Sequence, residues 1–171
     1  MGEPFKLEKK WSEKPMVIVC GLINQDVGIV HMEMRQKDKE FKAFKAVDLV
    51  DIMHDLAAAY KDRRIMIFMD NASIHKAKVI KDACEELDIT VVFNMPYSPH
   101  LMGIESFWGK AKLKYRAVLG QKKINGIDFD NLTLVEDVLA ELGDETKKDC
   151  ARHGWRMLQN AQPIQKDEEL K

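Results

Sequence analysis

Apolar and polar positions alternate along this chain in blocks of two periods. Residues 16–23 (MVIVCGLI) form a continuous apolar run, which predicts a strand buried on both faces. Asn24, Gln25 and Asp26, with Gly28 just beyond, supply turn chemistry, and residues 27–34 (VGIVHMEM) predict the returning strand of a hairpin. From 41 to 60 the period changes. Phe41, Phe44, Val47, Leu49, Val50, Met53, Leu56 and Tyr60 recur near helical spacing and predict an amphipathic helix. Residues 65–69 (IMIFM) predict a second buried strand that ends at Asp70. Val79, Ile80, Ala83, Cys84 and Leu87 mark one face of a helix over 74–87, and residues 89–93 (ITVVF) predict another short strand. Two prolines in NMPYSPHLMG forbid a regular helix or central strand there.

A helix restarts near Ile104 and runs to about Leu119. QKKINGIDFDN then reads as a polar connector. LTLVEDVLAELG predicts a short helix with Thr133 and Glu136 at capping-box spacing, and a further helix covers 146–161. The order of elements predicts an α/β fold, with helices packed on a mixed sheet. Three segments follow: an N-terminal arm (1–15), a core (16–119) and a C-terminal helical extension (120–171).

Composition narrows the function. A net charge of −1 over 171 residues argues against strong autonomous nucleic-acid binding, which draws its affinity from excess positive charge. Cys20, Cys84 and Cys150 are an odd number without a CxxC pair, which predicts reduced thiols in an intracellular protein. No apolar run reaches the length of a membrane span. Nucleus and organelle, including the mitochondrion, are not distinguished.

The chemistry-bearing residues gather between 65 and 116. Asp70 closes a strand and opens the run Asp-Asn-Ala-Ser-Ile-His at 70–75. Pro96-Tyr97-Ser98-Pro99 follows, and Glu105 then opens a helix with Trp108 one turn later. Thirty-four residues, 71 through 104, separate Asp70 from Glu105. Read alone, Asp70 is an ordinary cap of the turn that follows its strand. His75 reads as a polar residue at a helix start, His100 as a surface residue, and Trp108 as packing against the sheet. Lys110, Lys112, Lys114 and Arg116 make the same helix basic. They form either a solvated face or a track for phosphates.

The segments IFMDNASIH, PYSPHLMGIESFW and KAKLKYR resemble the DDE catalytic core of Tc1/mariner and IS630-type transposases. That family shows a DNA-x-x-H stretch, a PYSP-x-L-N-P-I-E stretch and about this spacing. The resemblance is strong from Ile65 to Arg116 and weaker back to Val17. It implies an RNase H-like mixed sheet flanked by helices, with DNA cut and joined by in-line displacement at phosphorus. Paired Mg²⁺ or Mn²⁺ ions held by carboxylates serve that reaction. Asp70 would be the second acid and Glu105 the third, the metal ligands if any ion is bound. His75 would be a motif residue near them.

The pattern also breaks. The first acid of the family ends a strand upstream of the hairpin. The fifteen residues before Met16 show no apolar strand ending in Asp, and Asp26, Glu33 and Glu8 are poor stand-ins. Met102-Gly103 replaces the family's Asn-Pro, and glycine there is expected to loosen the start of the helix that carries Glu105. The first strand is thus expected to be missing or replaced, either by residues 3–11 or by a strand from another chain, because its absence leaves backbone groups unpaired. The leading reading is a transposase-derived pseudoenzyme. It acts as a structural subunit of a larger protein assembly and needs no cofactor. Two others stay open: part of an active transposase whose first acid comes from elsewhere, and a nuclease-dead nucleic-acid binder.

Overall fold

The computed structural model describes residues 14–160. Strands β1 (Val17–Asn24) and β2 (Gly28–Gln36) form the expected antiparallel hairpin. The side chain of Asn24 builds its turn, with Oδ1 accepting the N–H of Asp26 at 2.8 Å and of Val27 at 3.3 Å. Gly28 leaves the turn at φ +88°, a conformation that only a residue without Cβ adopts at no cost. Leu22 pairs with His31 and Ile23 with Ile29, so Val30 is the extra residue of a bulge. The bulge turns Val30 toward the first helix, beside Cys20 and Leu22. Val19, Ile23, Ile29, Met32 and Met34 face the C-terminal helices. Apolar contacts on both faces explain the unbroken apolar run of β1.

Helix α1 spans Ala46–Ala59 and starts five residues later than the periodicity suggests. Local polar bonds hold the segment before it. Asp38 Oδ1 accepts the N–H groups of Glu40 and Phe41, and the Arg35 guanidinium lies 5.0 and 5.1 Å from the rings of Phe41 and Phe44. The Lys45 N–H then donates to Asp48 at 2.6 Å, satisfying a free amide at the helix start. Leu49, Ile52, Met53 and Leu56 form the buried face, whereas Val47 is exposed.

Strands β3 (Ile65–Met69) and β4 (Ile89–Phe93) are parallel, joined through a 3₁₀ turn at Ser73–Lys76 and helix α2 (Lys78–Glu86). Ile65, Ile67, Met69, Ile89 and Val91 pack toward α1 and α2. The other face is open, with Met66 69% and Val92 40% exposed. The expectation that β3 is a buried strand therefore holds for one face only, since α1 and α2 cover a single side. Among the described residues the hairpin and the parallel pair are two separate two-stranded sheets. Residues 3–11, one expected filler of the missing strand, lie outside the described residues.

A second 3₁₀ turn, Pro99–Leu101, leads into α3 (Gly103–Ile124), α4 (Asn131–Glu141) and α5 (Asp144–Asn160). Helix α3 runs four residues into the stretch that reads as connector. The cap of α4 is Asp130 rather than Thr133. Its carboxylate accepts the Thr133 N–H at 2.8 Å and the Thr133 hydroxyl at 3.1 Å. Phe107, Ala111, Leu139, Leu142 and Cys150 form a second core, with Trp108 against the hairpin. The C-terminal helices thus pack on the same side of β1 as α3.

Candidate functional site

Asp70 follows the last residue of β3 and is exposed. One carboxylate oxygen accepts the Ala72 N–H at 2.9 Å and lies 2.8 Å from Nδ1 of His75. The 3₁₀ turn makes this reach: His75 sits in that turn, ahead of α2, and folds back onto Asp70. Asp70 thus caps the turn that follows its strand and holds the His75 ring in the same arrangement.

Glu105 lies in the first turn of α3, exposed, and its carboxylate meets no described hydrogen-bond or ion-pair partner. Its position is fixed by the backbone beneath it. A Cβ added to Gly103 would lie 2.4 Å from the Cys150 carbonyl oxygen and 2.9 Å from Ala151 Cα. A Cβ added to Gly154 would lie 2.3 Å from the Gly103 nitrogen and 2.7 Å from its Cα. Helix α5 thus crosses the start of α3 backbone to backbone, and only two glycines permit that approach. A side chain at Gly103 would push α5 away, which gives a second reason for glycine there beside the expected loosening of the helix start.

Asn94 connects the two acid-bearing segments, and sequence reading missed it. It continues the β3–β4 register next to Asp70, and its N–H donates to the Met69 carbonyl at 2.7 Å. The Asn71 side chain donates to the Asn94 carbonyl, and Asn94 Nδ2 donates to the Ser98 carbonyl at 2.7 Å. Asn94 is buried, and its Oδ1 meets no described donor. Two amide side chains, that of Asn71 on the Asn94 carbonyl and that of Asn94 on the Ser98 carbonyl, therefore link the loop after β3 to the loop that delivers α3. Between them Tyr97 stands fully exposed at φ +58°, and Leu101 is buried as the anchor of the second loop. A polar residue closing an apolar strand was the only sequence signal for Asn94. For Gly154 the signal was a lone glycine inside a helical stretch, which often marks close packing.

The four basic residues of α3 do not share one face. At about 100° per residue, Lys112 and Arg116 fall on the side of Glu105, while Lys110 and Lys114 fall on the opposite side. Lys114 is engaged by α4, with Nζ 2.7 Å from the Glu141 carboxylate and 3.3 Å from its carbonyl oxygen. His100 is exposed, as expected.

Hard divalent ions in a two-metal site need several carboxylate oxygens converging on one point. Among the described residues no three His, Cys, Asp or Glu side chains gather in this way. The donor set of the described residues does not fit a two-metal centre. Burial raises the Cys20 thiol above its ordinary value, with Glu33 and Asp48 adding to the effect, so it stays protonated at neutral pH.

No curated protein sequence matches the chain. Among solved structures, the Mos1 transposase catalytic domain determined with Raltegravir and Mg is similar at a TM-score of 0.58 and 20% identity, over 84% of this chain and 70% of that one. The catalytic domain of the Mos1 mariner transposase matches equally, over 84% and 69%. The Mos1 strand transfer complex matches at 0.58 and 19% identity, over 91% of this chain and 44% of the longer one. At these identities the likeness establishes a common fold, that of an RNase H-like transposase catalytic domain. The family model of the DDE superfamily endonucleases matches residues 16–124, well over half of the chain, so this protein belongs to the DDE superfamily endonuclease family.

Proposed function

We propose that this chain is a catalytically inactive DDE-type domain that serves as a structural or interaction subunit of a larger protein assembly. The carrying observation is the state of Asp70. Its carboxylate is committed to Ala72 and His75, and among the described residues it belongs to no group of three or more His, Cys, Asp or Glu side chains that could hold a metal ion. The net charge of −1 supports the same reading, since it gives the chain little drive to hold a phosphate backbone by itself. The test is strand nicking of supercoiled DNA with Mg²⁺ or Mn²⁺. No cleavage above that of the Asp70→Asn variant is the expected result. Metal-dependent cleavage that vanishes in that variant would establish the alternative, part of an active transposase with Asp70 and Glu105 as ligands.

A nucleic-acid-binding reading draws on one observation, the exposed stripe that Lys112 and Arg116 continue from Glu105. Reversing the charge of Lys112 and Arg116 would then abolish a salt-sensitive DNA affinity, whereas reversing Lys110 and Lys114 would leave most of it. Equal loss from both pairs, or no affinity at all, removes this reading.

A further inference from the structure

Among the described residues no strand pairs with the outer edge of β1, a row of backbone groups in an apolar setting. The Met16 carbonyl accepts the Lys37 N–H at 2.7 Å, in line with the register that pairs Ile18 with Arg35, Cys20 with Glu33 and Leu22 with His31. Bonded pairs in an antiparallel ladder repeat every two residues. Ile18, Cys20 and Leu22 therefore turn their amides to β2, while Val17, Val19 and Gly21 turn theirs to the other side. No described strand meets that edge, and β3 likewise has β4 as its one described partner.

The edge also lacks the residues that normally guard one. Exposed edges are protected by charge, proline or a cover. Strand β2 carries His31, Glu33 and Arg35, but β1 (VIVCGLIN) has neither charge nor proline. Val17 through Ile23 are all half-buried, and none is fully buried although both faces are packed. Cys20 and Leu22 of β1 share one core with Ile67 and Met69 of β3, so the two edges that lack a described partner border the same layer.

We propose that this edge takes a single extended segment of another polypeptide, about as long as the eight residues of β1 and apolar on both faces. The inference rests on reading the chain as an interaction subunit, and it specifies the partner's chemistry. A segment bonded to both β1 and β3 needs both of its own edges free. A second copy's β1 fails that condition, because β2 already holds one edge. One side of the segment meets the α1 core and the other meets the side of Trp108, so charged side chains would be costly on either face. Residues 1–13 carry six charged side chains, at 3, 6, 8, 9, 10 and 13, and suit such a layer poorly.

The test is residue-resolved amide exchange on the full chain at a concentration where it is monomeric. The probe is a capped octapeptide, Lys-Val-Ile-Val-Ile-Val-Ile-Lys. In the free chain, Ile18, Cys20 and Leu22 should be protected and Val17, Val19 and Gly21 should exchange freely. The peptide should slow the second set by about 100-fold or more. Val19→Pro, which removes an outward N–H, should abolish the peptide's effect and leave Cys20 and Leu22 protected. Ile18→Pro, which removes an inward N–H, should instead expose the whole hairpin. Protection of Val17, Val19 and Gly21 in the free monomer would overturn the proposal, because the chain would then fill its own edge. Protection appearing only on self-association would overturn it in favour of a second copy, and no change on adding peptide would overturn it outright. Metal-dependent DNA cleavage would remove the interaction-subunit reading without altering this exchange pattern, so the two failures are distinguishable.

Discussion

Asp70 and Glu105 carry the same functional group and are held in opposite ways. Asp70 is fixed locally: the Ala72 amide and the His75 ring, two and five residues along the chain, hold its carboxylate. Glu105 has no such contact, and the backbone that carries it is set by α5, some fifty residues away in sequence. A locally held acid is robust to distant change but already has partners. A distantly placed acid is free, and its position depends on a helix that could be lost or shifted. For a reaction that needs both acids to converge, the second arrangement is the fragile one.

The largest expected effect is on that distant crossing. Gly154→Ala puts a methyl group 2.3 Å from a backbone nitrogen, and overpacking against backbone should cost about 3 kcal/mol. Thermal denaturation should show this as a fall in Tm of about 6–12 °C. An unchanged Tm would mean that α5 does not cross α3 at this point.

Gly103→Pro restores the family's residue and sharpens the comparison. If glycine merely loosened the helix, proline would stabilise it by up to about 1 kcal/mol. With Cys150 and Ala151 in the way, a loss of about 2 kcal/mol is expected instead, and the sign alone decides between the two accounts.

Asn94→Ala acts on the link between the two regions. Losing the bond to Ser98 should cost about 1 kcal/mol by chemical denaturation. The backbone amides around 94–98 should also exchange faster, while those of α5 stay protected. Smaller still are the acids themselves. Asp70→Asn should cost under about 1 kcal/mol, because its exposed pair with His75 is screened by water. Glu105→Gln should stay within about 0.5 kcal/mol. A larger loss at Glu105 than at Asp70 would reverse the comparison drawn here.

Much of this molecule was legible before its tertiary structure. The apolar run at 16–23, the Asn24 turn and the β3–α2–β4 order follow from local pattern, because period and turn chemistry act within a few residues. The two motifs and their spacing likewise pointed to the fold of a transposase catalytic domain. Where pattern failed, a polar contact had overridden it. Phe41 and Phe44 keep helical spacing, yet Arg35 and Asp38 hold them outside the helix.

The sequence alone therefore determined which elements form and which acids belong to the motif, since both depend on neighbours in the chain. Tertiary structure decided three further matters. It closed Met102-Gly103 against Gly154, joined Asn71, Asn94 and Ser98 across two loops, and bonded Lys114 to Glu141. It also left Met66 in solvent although its strand reads as buried throughout. The physical reason is common to all of these. Close backbone approach, a hydrogen bond across loops and the covering of a sheet face depend on what another segment brings to the contact, and no local period encodes that.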